Sequence, residues 1–121
     1  DFRRRFGVKH FVEAFGMTEI GLPVLSPLGR KRPAGAAGLL VADWFDARIV
    51  DPGTDRELPV GEIGEFIVRH KEPWILSAGY FGMPEKTLEA WRNLWFHTGD
   101  AVRRDRPARR SRSCRLWRNP R

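Results

Sequence analysis

The chain has 121 residues, room for one modest domain with a small core. Hydrophobic residues are 41% and charged residues 31%, a globular balance that argues against wholesale disorder. One cysteine, Cys114, excludes an internal disulfide framework and a thiolate metal cluster, and the longest apolar run, residues 34–42, is too short and too rich in glycine to span a bilayer. The net charge of +7 is unevenly placed. Residues 103–121 carry nine Arg and one Asp, or +8, whereas residues 1–102 carry −1. The basic character therefore belongs to the tail, and a global argument for nucleic-acid binding fails. The start, Asp1-Phe2-Arg3-Arg4-Arg5, has neither Met nor the apolar stretch of a signal peptide. A cytoplasmic setting is the expectation, and the missing Met suggests a sequence that begins inside a longer protein.

In chain order, Phe2 to Phe6 followed by Gly7 reads as a last helical turn with a glycine cap. Residues 8–15 alternate loosely and predict a strand. Gly16 to Gly21 then predicts a tight loop at the strand end. Residues 22–38, rich in Pro and Gly, read as extended loop. A strand is expected at 44–50, a turn at Asp51-Pro52-Gly53-Thr54-Asp55, and a clear strand at 64–70 with a β-branched and aromatic centre. Residues 84–92 predict a helix, with Pro84 at its first position, Glu85 and Glu89 near its positive end, and Leu88 and Trp91 on one apolar edge. From Arg106 onward the chain is Arg-rich, without hydrophobic period, and is expected to be irregular.

Three clusters carry possible chemistry. In Phe15-Gly16-Met17-Thr18-Glu19, a loop after a strand can present Thr18 to a phosphate oxygen, Glu19 to a hard cation such as Mg²⁺, and the flat face of Phe15 to a base. The bland alternative is a turn with a capping Thr and a surface Glu. In Trp95-Phe96-His97-Thr98-Gly99-Asp100, a carboxylate just past a glycine can accept from two ribose hydroxyls; the alternative is an Asp in a turn. His97 has no sequence neighbour to pair with and reads as a packed or exposed side chain rather than a base. Gly61-Glu62-Ile63-Gly64-Glu65 reads as structural, with Gly79-Tyr80 further on as a possible pocket wall.

The strings Phe-Gly-Met-Thr-Glu, Leu-Pro-Val-Gly-Glu-Ile-Gly-Glu, Gly-Tyr, Pro-Glu-Lys-Thr-Leu-Glu-Ala and Trp-Phe-His-Thr-Gly-Asp occur in one order. Together they resemble the adenylate-forming (AMP-binding) superfamily, of acyl-CoA synthetase or acid–CoA ligase type, over about residues 2–105. The stretch Arg69 to Tyr80 resembles ligases for carnitine-like or short acids. The resemblance implies an α+β fragment: the β-rich end of the family's large N-terminal domain, residues 1–105, followed by an Arg-rich tail, 106–121.

It also implies roles. Phe15 matches the aromatic that stacks on adenine, in place of the commoner Tyr. Gly16 and Met17 match the positions that shape the adenylate pocket. Thr18 matches the phosphate contact, Glu19 the Mg²⁺ ligand, and Asp100 the carboxylate on the ribose hydroxyls. ATP, Mg²⁺ and coenzyme A would serve the full-length family, with a small carboxylic acid as substrate. The family's phosphate loop, the Asp-Gly segment after Asp105, the hinge Arg and the late catalytic Lys are not in this sequence, so no complete catalytic set is expected, and the chain alone should be inactive. The tail is expected to be frameshifted or disordered. The rival reading is a small non-catalytic protein whose basic tail binds nucleic acid through phosphates.

Overall fold

A computed structural model describes residues 1–26, 28–29 and 35–105, and the backbone of 115–118. Its elements are α1 (Phe2–Phe6), β1 (Ala14–Met17), β2 (Gly21–Leu25), β3 (Ala36–Leu40), β4 (Phe45–Val50), β5 (Ile63–His70), α2 (Pro84–Ala90), a 3₁₀ turn (Arg92–Leu94), β6 (Phe96–Arg104) and β7 (Arg115–Arg118). The strands form one seven-stranded sheet in the order β1-β2-β3-β7-β6-β5-β4, with every neighbouring pair antiparallel. Two three-stranded ribbons thus meet through β7. The expected β-rich α+β fold is present, but several boundaries move.

The strand expected at 8–15 begins only at Ala14. Ala14 pairs with Leu25, the last residue of β2, and one further bond, Ser26 N to Glu13 O at 2.8 Å, closes the ladder. Among the described residues no partner strand lies beyond it. Phe11 and Val12 are exposed, and Phe11 packs on Phe2 of α1 instead. Apolar alternation makes a strand only where a neighbour accepts it. The expected loop at 22–38 contains β2 and β3. Pro23 is tolerated in β2 because it sits where the register with β1 slips, between the Phe15–Val24 and Met17–Gly21 pairs. The expected helix at 84–92 ends at Ala90. Asn93 takes a left-handed backbone (φ 56°), tied by its Nδ2 to Asp55 Oδ2 at 2.6 Å, and this stops continuation. Leu88 faces solvent, and Trp91 alone of the expected edge turns inward.

The expected irregularity of the tail does not hold at Arg115–Arg118, whose backbone pairs on both sides as β7. The rest of the tail, and with it the disorder and nucleic-acid readings, lies outside the described residues.

The sheet curls on itself. Phe15 on the edge strand β1 meets Phe66 on β5, near the opposite edge, edge to face at 5.8 Å. Inside the curl lie Ile20, Val24, Phe45, Ile49, Phe66, Val68, Phe96 and Val102. The outer face of β4 and β5 carries a second cluster, Val50 and Ile67 with Trp95 just before β6, and the guanidinium groups of Arg48 and Arg69 lie over the Trp95 ring at 4.8 and 4.5 Å.

Candidate functional site

The β1–β2 hairpin carries the first cluster. Alternation along β1 turns Phe15 and Met17 towards the core and leaves Ala14 and Gly16 outside. Gly16 is required by its neighbour: a Cβ there would lie 2.0 Å from the backbone oxygen of Gly21. The turn that follows exposes Thr18 and leaves Glu19 half-buried.

Glu19 is met from far along the sequence. Tyr80 donates its hydroxyl to Glu19 Oε1 at 3.0 Å, and the Glu19 carbonyl accepts Ser77 N–H at 2.9 Å. Among the described residues nothing bonds Glu19 Oε2. Burial, the bond to Glu19 and that carboxylate's charge all hold the Tyr80 phenol above its ordinary value near 10. An open pocket of about 520 Å³ lies beside it, lined by Gly79, Tyr80, Phe81, Pro84, Thr87 and Leu88.

Asp100 sits in a bulge of β6. The pairs Glu65–Ala101 and Ile67–His97 flank it, so Thr98, Gly99 and Asp100 oppose Phe66 alone. Thr98 Oγ1 donates to the Phe66 carbonyl at 2.7 Å and accepts Asp100 N–H at 3.1 Å. Phe66 is also the ring that Phe15 touches. The two clusters, at opposite ends of the sequence, are therefore joined through one buried residue.

His97, expected to have no partner, has one in the fold. Its side chain is 2% exposed and Nδ1 lies 3.0 Å from Glu65 Oε2. A carboxylate only accepts, so Nδ1 carries the proton and Nε2 is bare in the neutral ring. Nε2 is buried without a hydrogen bond, 4.0 Å from Asp55 Oδ2. Arg92 Nη2 reaches Glu65 Oε2 at 3.1 Å and Asp55 Oδ1 at 3.3 Å, and Glu65 Oε1 accepts Gly99 N–H at 3.0 Å. Burial would raise the Asp55 carboxyl, but bonds from Arg92 and Asn93 and the nearby positive charge outweigh it and hold Asp55 below its ordinary value near 3.8. Asp55, Glu65 and His97 lie within 4.8 Å of one another, a set that could suit a metal ion. The Arg92 guanidinium already bridges both carboxylates, so the positive charge there is supplied by the protein. Only the Glu65 to His97 register, two residues apart in strand pairing and 32 in sequence, could have revealed this network.

Comparison with known proteins places the chain in a family. The family of AMP-binding enzymes matches residues 1–81. The chain belongs to this family. A feruloyl-CoA synthase from Amycolatopsis is 39% identical over 95 residues, covering 76% of this chain and 18% of that protein. A crotonobetaine/carnitine–CoA ligase from Salmonella heidelberg is 35% identical over 107 residues, covering 87% of this chain and 20% of that protein. Among solved structures, ATP-bound MatB from Rhodopseudomonas palustris superposes with a TM-score of 0.71 at 34% identity, over 88% of this chain and 20% of that one. The chain thus spans about a fifth of the length of these relatives. Its relatives include both a feruloyl-CoA synthase and a crotonobetaine/carnitine–CoA ligase. No described helix is long and apolar enough to cross a membrane.

Proposed function

We propose that residues 1–105 form part of the nucleotide site of an ATP-dependent, AMP-forming acid–CoA ligase, acting on a small carboxylic acid in the cytoplasm. The supporting observation is the contact relay Phe15–Phe66–Thr98–Asp100, which fixes the two motif clusters relative to each other. In this reading Phe15 stacks on adenine, with Gly16 and Met17 beneath the adenylate. Thr18, exposed at the turn, donates to phosphate. Asp100 accepts from the ribose hydroxyls, its bulge held by Thr98 and Glu65. Glu19 suits Mg²⁺: it is a carboxylate, half-buried, with one oxygen fixed by Tyr80 and the other unengaged among the described residues. The cation would neutralise phosphate charge.

The reaction joins the acid's carboxylate oxygen to the α-phosphorus of ATP and expels pyrophosphate. The coenzyme A sulfur then bonds the acyl carbon and AMP leaves. Positioning and charge neutralisation dominate such chemistry. This chain would contribute only part of that machinery, so it should bind nucleotide weakly and release no pyrophosphate. The test is saturation-transfer NMR with AMP on the 121-residue chain. Transfer to the adenine protons is expected, and Asp100→Asn should weaken AMP binding about tenfold, the scale of one charged hydrogen bond. Absence of transfer, or an Asp100→Asn variant that binds equally well, would sink the reading.

A further inference from the structure

Tyr80 is held from three sides. Its backbone N–H donates to Thr87 Oγ1 on α2 at 2.9 Å. Its ring meets Trp91 edge to face at 5.5 Å, and Trp91 in turn meets the core ring Phe96 at 4.7 Å. Gly79, at φ 132°, lets the chain pass close to Thr87; a Cβ there would fall 2.5 Å from Thr87 Cγ2. Each contact removes a degree of freedom from the phenol. Its one polar atom then points at one oxygen of Glu19.

We propose that Tyr80 is a positioning residue for Glu19: its hydroxyl fixes Oε1 and so sets the direction in which Oε2 meets a hard divalent cation. The inference rests on the reading of Glu19 as a cation ligand and extends it to a residue on a separate loop. Partners that orient a ligating carboxylate commonly change metal affinity by ten- to a hundredfold when removed. A phenol does this without adding charge, whereas a Lys or Arg at the same place would repel the cation.

Tyr80 is the only tyrosine in the chain, which makes the test specific. Mn²⁺–ATP is the probe, with its binding to the chain read by the enhancement of water proton relaxation over that of Mn²⁺–ATP alone. The wild-type chain is expected to bind, Glu19→Gln to lose that binding, and Tyr80→Phe to bind about tenfold more weakly with its circular dichroism unchanged. A residue that merely packs would leave the affinity unmoved. The second measurement needs no variant at position 80. 3-Fluorotyrosine incorporated in the wild-type chain should show a fluorine resonance broadened by Mn²⁺–ATP and restored by excess Mg²⁺. Binding that Glu19→Gln abolishes, with neither Tyr80→Phe weakening nor fluorine broadening, overturns the role of Tyr80 alone. Absence of Mn²⁺ binding, or binding indifferent to Glu19→Gln, overturns the cation reading and the positioning role with it.

Discussion

Glu19 and Glu65 are both partly buried glutamates, and they are wired in opposite ways. Glu65 spends every oxygen on the protein: Oε1 on Gly99 N–H, Oε2 on Arg92 and His97. Glu19 receives one hydroxyl on Oε1 and leaves Oε2 unengaged among the described residues. The first arrangement is closed, its charges balanced within the fold. The second is open, with one acceptor left over beside the β1–β2 turn. A carboxylate's capacity to take a ligand is read from which of its lone pairs the protein leaves over, and neither residue type nor burial alone reports that.

The largest effect should come from breaking the closed side. Glu65→Ala strands the buried His97 Nδ1–H, takes one acceptor from Arg92 and removes the bond that holds Gly99 in the β6 bulge. A loss of about 3 kcal/mol is expected, as for removal of one partner from a buried ion pair. Urea unfolding measures it; a loss under about 1 kcal/mol would mean that the network is decorative. Close behind is Gly16→Ala in the open hairpin. Its new Cβ meets a backbone oxygen rather than a flexible side chain, so the β1–β2 turn must open. The cost should be about 3 kcal/mol, the upper part of the range for overpacking. An unchanged melting temperature would show that the hairpin is looser than described.

Sharpening the contrast needs a change on Glu19 that stability hardly registers. Glu19→Gln should cost under about 1 kcal/mol, since one partly exposed hydrogen bond is altered rather than a buried charge stranded. Its spectroscopic effect is clearer. The tyrosinate absorbance of the sole tyrosine should titrate above pH 10 in the wild type, and Glu19→Gln should lower that midpoint. The sign follows from the direction of the shift. A raised folded value favours the neutral phenol, so its contribution to stability is complete below the unfolded value near 10 and is lost as pH climbs through the folded one. A midpoint indifferent to Glu19→Gln would contradict the Tyr80–Glu19 bond.

The open side was the more legible in sequence. The strings around Phe15–Glu19 and Trp95–Asp100 stand contiguously, and the strands at 45–50 and 63–70 announce themselves by β-branched and aromatic residues. What stayed hidden depends on non-local partners. The strand expected at 8–15 starts only at Ala14 because, among the described residues, Val8 to Val12 have no neighbouring strand. β2 and β3 were hidden by prolines and glycines that bulges accommodate. His97 has no partner in its local sequence because Glu65 becomes its neighbour only through the β5–β6 register. Likewise, nothing in the local sequence links Tyr80 to Glu19.

The smallest effect lies at the rim of the closed network, in acid. Asp55 is held below its ordinary value because Arg92 and Asn93 bond its charged form more strongly than burial penalises it. A depressed folded value means that the stabilisation is complete above the unfolded value, near pH 3.8, and fades as pH falls through the folded one. Asp55→Asn should therefore flatten the acid limb of the stability profile below about pH 4 while leaving the alkaline limb, which belongs to Tyr80, in place. Arg92 would keep its bond to Glu65, and Asn93 would lose the charged acceptor that fixes its left-handed backbone, so the 3₁₀ turn at Arg92–Leu94 should gain amide exchange before the β6 bulge does. If both segments exchanged together, Asp55 would be as central to the network as Glu65, and the contrast between a closed core and its rim would have to be redrawn.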